Sequence, residues 1–170
     1  MTVPPSDDLD GLAADVCARL SQAVDGREGP WRTPVLSTAG PDGPNARVVV
    51  IRSVDLGNRR LEIFTDRQSA KVSEIGAWPR VALAFWDPAA QQQLRIVAVA
   101  RASDEPELIA ARWQAIGSAG RALYDDDPER FVVIEAVWIE WDWLWIGGTP
   151  HRRARFSWIC GLPEGRWIAP

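Results

Sequence analysis

The beginning of the chain carries a helical pattern of apolar residues. Between Asp7 and Asp25 the apolar side chains recur at steps of three and four residues, which is the period of an amphipathic helix. The acidic residues at its start favour a helix N-terminus because they interact well with the helix dipole, and Gly26 suits its end. The pattern therefore predicts a helix over residues 7–25, and we expect residues 1–6 before it to be flexible.

Beyond this helix the apolar pattern becomes alternating, which is typical of β-strands. Turn residues at 40–45 and 55–58 separate the runs and predict hairpins. A stretch with helical spacing, from about residue 69 to residue 78, predicts a short helix that ends at Pro79. The run 47–52 is almost continuously apolar, which predicts a strand covered on both faces. The predicted strands of this part cover residues 31–37, 47–52, 61–65, 80–86 and 92–102.

The last third returns to strands after one more helical region. Ser103 is expected to cap a helix that runs to about residue 116, and a second short piece ends near Tyr124. Strands are predicted over residues 131–140, 141–146 and 151–158 and near Trp167. The sum is roughly six to eight antiparallel strands, which indicates a mainly β fold, a barrel or sandwich, in a single domain spanning residues 1–170.

Composition narrows the classes of function. The net charge of −4 argues against a general nucleic-acid binder, which needs a surplus of cations. The sequence shows neither an apolar run that could span a bilayer nor a signal-peptide pattern, so we expect a cytoplasmic protein with no membrane partner. Cys17 and Cys160 are far apart and fit no metal-binding spacing, so we expect reduced thiols and no metal site.

The residues between Arg47 and Lys71 suggest a site for an anion. Ser69 lies at the start of the predicted short helix, where free backbone N–H groups and the helix dipole favour a phosphate. Lys71 lies in the first turn, where a cation is unfavourable unless an anion is bound nearby. Arg47 and Arg52, at the two ends of the neighbouring strand, could add bidentate contacts. The alternative is that these three cations are simply solvated.

The same stretch resembles a known family. The order and spacing of Arg47–Arg52, Phe64-Thr65, Ser69-Ala70-Lys71 and the strands that follow are similar to those of the pyridoxamine 5′-phosphate oxidase-like FMN-binding split barrels. The resemblance covers residues from about 30 to 160. It implies a split β-barrel that binds FMN and forms a homodimer with its FMN sites at the subunit interface.

The resemblance also implies roles for individual residues. Ser69 and Lys71 would hold the FMN phosphate, with Arg47 near it, and Gln93 would hydrogen-bond the polar edge of the flavin ring. The partner subunit would contribute Trp145 and Arg155. The other implied cofactor-binding residues, along the ring or lining the cofactor, are Val48, Val49, Val50, Ile51, Arg52, Phe64 and Thr65. Family members usually carry a second basic residue at the position of Ala70, a role that Arg67 could take here.

Departures from the true oxidase bear on the reaction. The true oxidase binds pyridoxal phosphate with a Tyr, Arg and Ser constellation in its middle helix, but here Trp113 and the segment Arg121-Ala122-Leu123-Tyr124 resemble an uncharacterised branch of the superfamily instead. Near the end, Arg153-Ala154-Arg155 lacks the expected histidine. The resemblance therefore implies an FMN-dependent oxidoreductase with an unknown small-molecule substrate, and no catalytic residue is assigned. A flavin-binding or sensing module without turnover, and a split barrel that uses deazaflavin F420 or haem, are the alternatives.

Two aromatic and polar features of the last third have more than one explanation. Trp141, Trp143 and Trp145 form an alternating stripe that would pack at a dimer seam or stack on the flavin ring. His151 is the only histidine, and we expect it to have a surface or interface role rather than to bind a metal.

Overall fold

The secondary structure consists of four α-helices, two short 3₁₀ turns and nine β-strands in the described part of the chain. The computed structural model describes residues 5–26, 28–159 and 162–170. The helices are α1 (Leu9–Asp25), α2 (Ala70–Ala77), α3 (Pro106–Ala115) and α4 (Ser118–Arg121), and the 3₁₀ turns are Pro30–Arg32 and Ala122–Tyr124. The strands are β1 (Val35–Gly40), β2 (Gly43–Val48), β3 (Ile51–Asp55), β4 (Arg60–Asp66), β5 (Arg80–Asp87), β6 (Gln92–Ala102), β7 (Phe131–Trp145), β8 (Arg152–Ile159) and β9 (Leu162–Ile168).

The long strand β7 organises the sheet. The strand order is β2–β1–β5–β6–β7–β4–β3, and β8 pairs with both β7 and β9. The first half of β7 pairs with β4, its second half pairs with β8, and β6 runs along nearly all of it. All these pairings are antiparallel. The prediction of a mainly β fold, a split barrel with flanking helices, is confirmed.

The predicted strands 131–140 and 141–146 are in fact one strand. The chain has no turn residues where the two predicted strands meet, at Glu140 and Trp141, so the ladder with β6 continues through this point. A register shift opposite Val97 and Ala98 takes up the irregularity. A β-bulge of this kind bends a strand without ending it.

The interior of the barrel is filled from α1 and from the aromatic residues of β7. Leu12, Val16 and Leu20 lie on one face of α1 and are buried in the main core. Trp141 and Trp143 are also completely buried in that core. The expectation that these two tryptophans stack on a ligand or lie at a dimer seam is therefore wrong, because the chain itself encloses them.

The apolar run 47–52 does not form one strand covered on both faces. Strand β2 ends at Val48 and β3 begins at Ile51, and the two residues between them leave the ladder. Val48 is 66% exposed, so β2 is an exposed strand rather than a buried one. The exposure of β2 follows from its position at the edge, beside a single neighbour, β1, among the described strands.

Two further local predictions differ from the structure. Trp31 is buried in a 3₁₀ turn rather than in a strand, and Pro30 at the first position of that turn suits it. Helix α3 begins after Glu105, so Ser103 does not act as its N-cap. The Ser103 hydroxyl instead accepts a hydrogen bond from the Glu105 amide at 3.4 Å.

The N-terminal segment is held against the barrel where it is described. Pro5 is buried, and the carbonyl oxygens of Pro5 and Ser6 accept hydrogen bonds from the Arg152 guanidinium. Residues 1–4 and Cys160 lie outside the described residues, and the single-domain assignment stays a prediction. Burial raises the pKa of the Cys17 thiol. The described helices include none that is long and apolar enough to cross a bilayer.

Candidate functional site

Lys71 lies in a polar corner where β4 leads into α2. Its ammonium donates hydrogen bonds to the Thr65 hydroxyl at 2.8 Å and to the Ser69 hydroxyl at 2.5 Å. The side chain is half-buried, and burial together with the nearby Arg47 charge lowers the pKa of Lys71. The structure thus brings Thr65, Ser69 and Lys71 together and turns the lysine onto the protein instead of into solvent.

The start of α2 adds backbone donors to this corner. Ser69 occupies the N-cap position, but its side chain makes no capping hydrogen bond and meets Lys71 instead. The first N–H groups of a helix have no carbonyl partner one turn before them within the helix. Here the Val72 amide donates to the Ser69 carbonyl at 2.9 Å, so only the amides before it could serve a ligand. A cation, two hydroxyl groups and the positive end of a helix dipole together favour an anion, so the residues at this corner fit a phosphate group.

Arg47 approaches the same corner from strand β2. Its guanidinium donates to the Thr38 hydroxyl and, at 3.1 Å, to the Glu74 carboxylate. Glu74 lies one helical turn beyond Lys71 on α2 and also accepts from the Asn45 amide at 2.7 Å. Hydrogen bonds from Thr38 lower the pKa of Glu74 most, and Asn45 and Arg47 add to this effect, against burial, which raises the pKa.

Arg52 and Phe64 face a different feature, a cavity under α3 and α4. The Arg52 guanidinium lies 5.8 Å from the centre of the Phe64 ring. The cavity has a volume of about 460 Å³, within the usual range for a small-molecule site. Its described walls come from the end of α1, the first 3₁₀ turn, β3, β4 and the α3–α4 segment.

The charged residues in the described lining of the cavity are all arginines, although the chain has a net charge of −4. Arg32, Arg52 and Arg112 line it, and its described lining contains no acidic residue. Phe64 and Tyr124 supply aromatic surface, and burial raises the pKa of Tyr124, which keeps its hydroxyl protonated. The cavity is thus suited to a small anion with an apolar or planar part.

A buried carboxylate holds one wall of this cavity. Arg112 on α3 forms two hydrogen bonds to Glu62 on β4, at 2.6 and 3.0 Å. Glu62 is only 1% exposed and lies directly opposite Glu135 on β7, which is 3% exposed. Arg60 contacts both carboxylates, at 3.8 Å and 2.7 Å. The paired acids are therefore compensated by arginines, one of which belongs to the wall.

Gln93 and Arg155 lie on the outer face of the sheet, by which we mean the face that carries Val35, Val48, Ala84, Trp86 and Val99. The register runs from Val48 through Val35, Ala84, Arg95 and Asp142 to Arg155, so these side chains share one face. Arg47 precedes Val48 and points to the opposite face. The structure therefore does not bring Gln93 or Arg155 to the Lys71 corner within one chain.

Arg155 is engaged in an ion cluster. Asp142 is buried and receives hydrogen bonds from Arg95, Arg153 and Arg155 on the flanking strands β6 and β8. Burial alone would raise the pKa of Asp142, but hydrogen bonds and charge from Arg153, with Arg95 and Arg155, lower it overall. The arginine-rich start of β8 thus has a structural partner inside the chain.

Trp145 packs within its own chain. It lies on the face of β7 that also carries Trp141 and Trp143, partly buried against the main core. The hairpin turn folds over its indole ring, because a Cβ at Gly147 or at Gly148 would lie 2.5 Å from the ring. Trp145 and Arg155 therefore lie on opposite faces of the sheet.

The segment between β2 and β3 is only partly available to a ligand. The Val49 amide donates to the Pro34 carbonyl at 3.0 Å, and the Val49 and Ile51 side chains are buried in the core. Val50 lies between the strands and is partly buried. The expectation that the amides of this run face a ring is thus wrong for Val49, because its donor is already used.

Three features of the candidate site and the cavity were missed by the sequence analysis. Glu74 could have been noticed, because it lies three residues after Lys71 on the predicted helix and shares its face. Arg32, in the first 3₁₀ turn, and the Glu62–Arg112 pair gave no signal, since they are brought to the cavity only by folding.

Comparison with known proteins identifies a family. A family model described as pyridoxamine 5′-phosphate oxidase matches residues 31–141. A pyridoxine/pyridoxamine 5′-phosphate oxidase from Anaeromyxobacter dehalogenans is 35% identical over 99 residues, which cover 56% of this chain and 48% of that protein. The chain matches about half the length of such curated relatives, or less.

Solved structures share the fold at low sequence identity. An FMN-binding protein related to pyridoxamine 5′-phosphate oxidase from Nostoc punctiforme has a TM-score of 0.77 at 20% identity, over 91% of this chain and 96% of that one. PhzG from Burkholderia lata, solved with tetrahydrophenazine-1-carboxylic acid, has the same TM-score and identity, over 100% and 98%. A haem-binding protein from Mycobacterium smegmatis has a TM-score of 0.58 at 20% identity, over 92% and 60%.

Proposed function

Because the chain belongs to the pyridoxamine 5′-phosphate oxidase family, we propose that it is a flavoprotein that binds FMN and acts as an oxidoreductase on a small molecule. The observation that carries the proposal is the corner where the Lys71 ammonium is held by Thr65 and Ser69 at the start of α2. This corner offers charge, hydroxyl groups and backbone donors to a phosphate. Arg47, beside it, adds a second cation.

The chemistry would be divided between the cofactor and the chain. FMN, when bound, supplies the redox chemistry, and the protein binds and orients the reactants and excludes water. Lys71, Ser69 and Arg47 would hold the phosphate. Arg52 and Phe64 mark where the cofactor region adjoins the cationic cavity. We infer that the cavity takes the substrate, a small anion, because arginines are the only charged residues in its described lining.

A homodimer accounts for the outer face of the sheet. Val48, Val99 and Trp86 are 66%, 47% and 45% exposed there, and such apolar surface favours association. Gln93 and Arg155 lie on the same face. In a dimer formed through it, residues of the partner would complete a site that one chain leaves open, as the family resemblance implies.

Among the cofactors, the described residues favour FMN over haem. The single histidine, His151, is exposed before β8 and does not line the cavity, so the cavity offers no histidine to a haem iron. FMN and F420 both carry a phosphate, which the Lys71 corner would accept from either. A cytoplasmic location is part of the proposal.

The test is to identify the cofactor and then to ask whether it turns over. We expect the purified full-length protein to be yellow, or to take up added FMN, and mass spectrometry of the released compound to identify FMN rather than F420 or haem. NADH or NADPH should reduce the bound flavin, and oxygen should reoxidise it. A colourless protein that does not take up FMN contradicts the proposal, and bound flavin inert to every reductant favours a non-catalytic module.

A further inference from the structure

Glu74 is a buried acid close to the cationic corner proposed for the phosphate. It is 7% exposed, and its carboxylate accepts from Thr38 at 2.5 Å, from Asn45 at 2.7 Å and from Arg47 at 3.1 Å. Thr38 and Asn45 are cross-strand partners in the β1–β2 hairpin. A single carboxylate on α2 therefore gathers donors from both strands of the hairpin.

This arrangement fixes the Arg47 guanidinium. One of its terminal nitrogens donates to Thr38 and the other to Glu74, and Thr38 itself donates to Glu74. A planar guanidinium held at two points loses its freedom to rotate, while it retains further N–H donors for another acceptor. Its side chain is a quarter exposed, so those donors remain within reach of a ligand.

The same carboxylate lowers the cost of placing two cations together. Arg47 and Lys71 repel each other, and this repulsion contributes to the lowered pKa of Lys71, whereas Glu74 acts in the opposite direction. Without Glu74 we expect Arg47 to swing away from Lys71, because its counter-ion would be gone and its other acceptor, the Thr38 hydroxyl, would itself lose the carboxylate to which it donates.

We propose that Glu74 is a positioning residue for the phosphate site, which holds Arg47 beside Lys71 without touching the anion itself. The inference rests on the proposed FMN function. The proposal predicts the opposite of what charge alone would do. If Glu74 acted only as a negative charge, it would repel a phosphate, and its removal would tighten binding. As a positioning residue its removal weakens binding.

The variant Glu74→Gln separates these two effects. Glutamine keeps the shape of the side chain but replaces one acceptor oxygen with an NH₂ group, which would face the donors of Asn45 or of Thr38 and Arg47. The variant Thr38→Val removes the hydroxyl that links Arg47 to Glu74 and leaves both charges in place. It is a milder probe of the same arrangement.

The experiment measures the dissociation constants of FMN and of riboflavin, which lacks the phosphate, for the full-length protein freed of flavin. We expect the wild type to prefer FMN, and Glu74→Gln to reduce this preference about tenfold, the scale of one charge-assisted hydrogen bond. Thr38→Val should reduce it less. Riboflavin affinity should stay within about twofold, and the control Glu107→Gln, on an exposed part of α3, should change neither constant.

A variant that lacks Arg47 shows whether Glu74 acts through it. In an Arg47→Ala background, Glu74→Gln should cause no further loss of the preference for FMN, because only the negative charge of Glu74 would be left to act. Tighter FMN binding by Glu74→Gln, an unchanged preference, equal losses for FMN and riboflavin, or an undiminished effect in the Arg47→Ala background would each overturn the inference. A wild type that binds both flavins equally would also overturn the phosphate site of the proposed function, which sets the two failures apart.

Discussion

At the scale of the residue, the unusual feature is Lys71, the only lysine among 19 basic residues. A compact ammonium can meet the two hydroxyl groups of Thr65 and Ser69 at once, which the planar fork of an arginine does less easily. The charge is half-buried and close to Arg47. A bound anion would offset both the cost of desolvation and the repulsion.

Replacement of this lysine tests the phosphate site directly. We expect Lys71→Ala to weaken FMN binding by about 1.5–3 kcal/mol, the scale of a lost hydrogen bond to a charged group, and to affect riboflavin little. Calorimetric titration of the flavin-free protein measures this, with Arg166→Ala on the exposed face of β9 as a control. Unchanged FMN affinity in Lys71→Ala would remove the phosphate assignment.

At the scale of the element, the wall formed by α3 and α4 depends on an ion pair more than on burial. Helix α3 has no fully buried residue, although Ile109 and Trp113 pack on a small aromatic cluster around Phe131. Its firmest polar attachment is the Arg112–Glu62 pair. Arg101 ties the start of the helix, through Glu105, to Glu135 on β7.

Loss of that pair should loosen the wall and destabilise the protein. We expect Arg112→Met to lower the free energy of unfolding by roughly 3 kcal/mol, the low end for a broken buried ion pair, because Arg60 still lies near Glu62. Hydrogen exchange should accelerate first in residues 106–124. The double variant Arg112→Met with Glu62→Gln should recover part of the stability, since the uncompensated charge is gone. Exchange that is unchanged in this segment would contradict the role given to the pair.

Asp142 stabilises the pairing of β7 with β6 and β8, and we expect this stabilisation to vary with pH. The folded state lowers the pKa of Asp142 below its ordinary value of 3.8, so its contribution to stability is present above that value and is lost as the pH falls through the folded-state pKa. We expect Asp142→Asn to be less stable than the wild type at neutral pH, and its stability to fall less steeply below about pH 4. Urea unfolding between pH 7 and pH 2 measures both, and parallel curves for the two proteins would contradict this account.

At the scale of the whole molecule, the question is whether one chain can supply every residue of an FMN site or whether a second copy must contribute through the outer face of the sheet. The family resemblance assigns Gln93, Trp145 and Arg155 to an FMN site, but the structure separates all three from the Lys71 corner of the same chain. Two copies that meet through the outer face could bring Gln93 and Arg155 to a neighbour's site. Trp145 would have to approach a neighbour's site together with the end of β7, since its ring packs on its own hairpin.

A charge placed on this face should prevent dimer formation. We expect the wild type to elute with twice the 18.8 kDa chain mass in light scattering, and Trp86→Glu, at a position 45% exposed, to be monomeric because a carboxylate resists burial. Leu56→Glu, in the turn after β3, should remain dimeric. A monomeric wild type that binds FMN would show that one chain suffices.

The sequence by itself determined most of the elements and the polar corner at Lys71, because both are local. Alternation and turn residues indicated most strands, and Ser69 and Lys71 stand only two residues apart on one predicted helix start. Only the tertiary structure decided where β2 ends and that β7 is one strand. It also decided that Trp141 and Trp143 lie inside the barrel, and that Glu74 holds Arg47 while Glu62 holds Arg112. The physical reason is that burial and ion pairing depend on residues distant in the chain, whose approach no local pattern records.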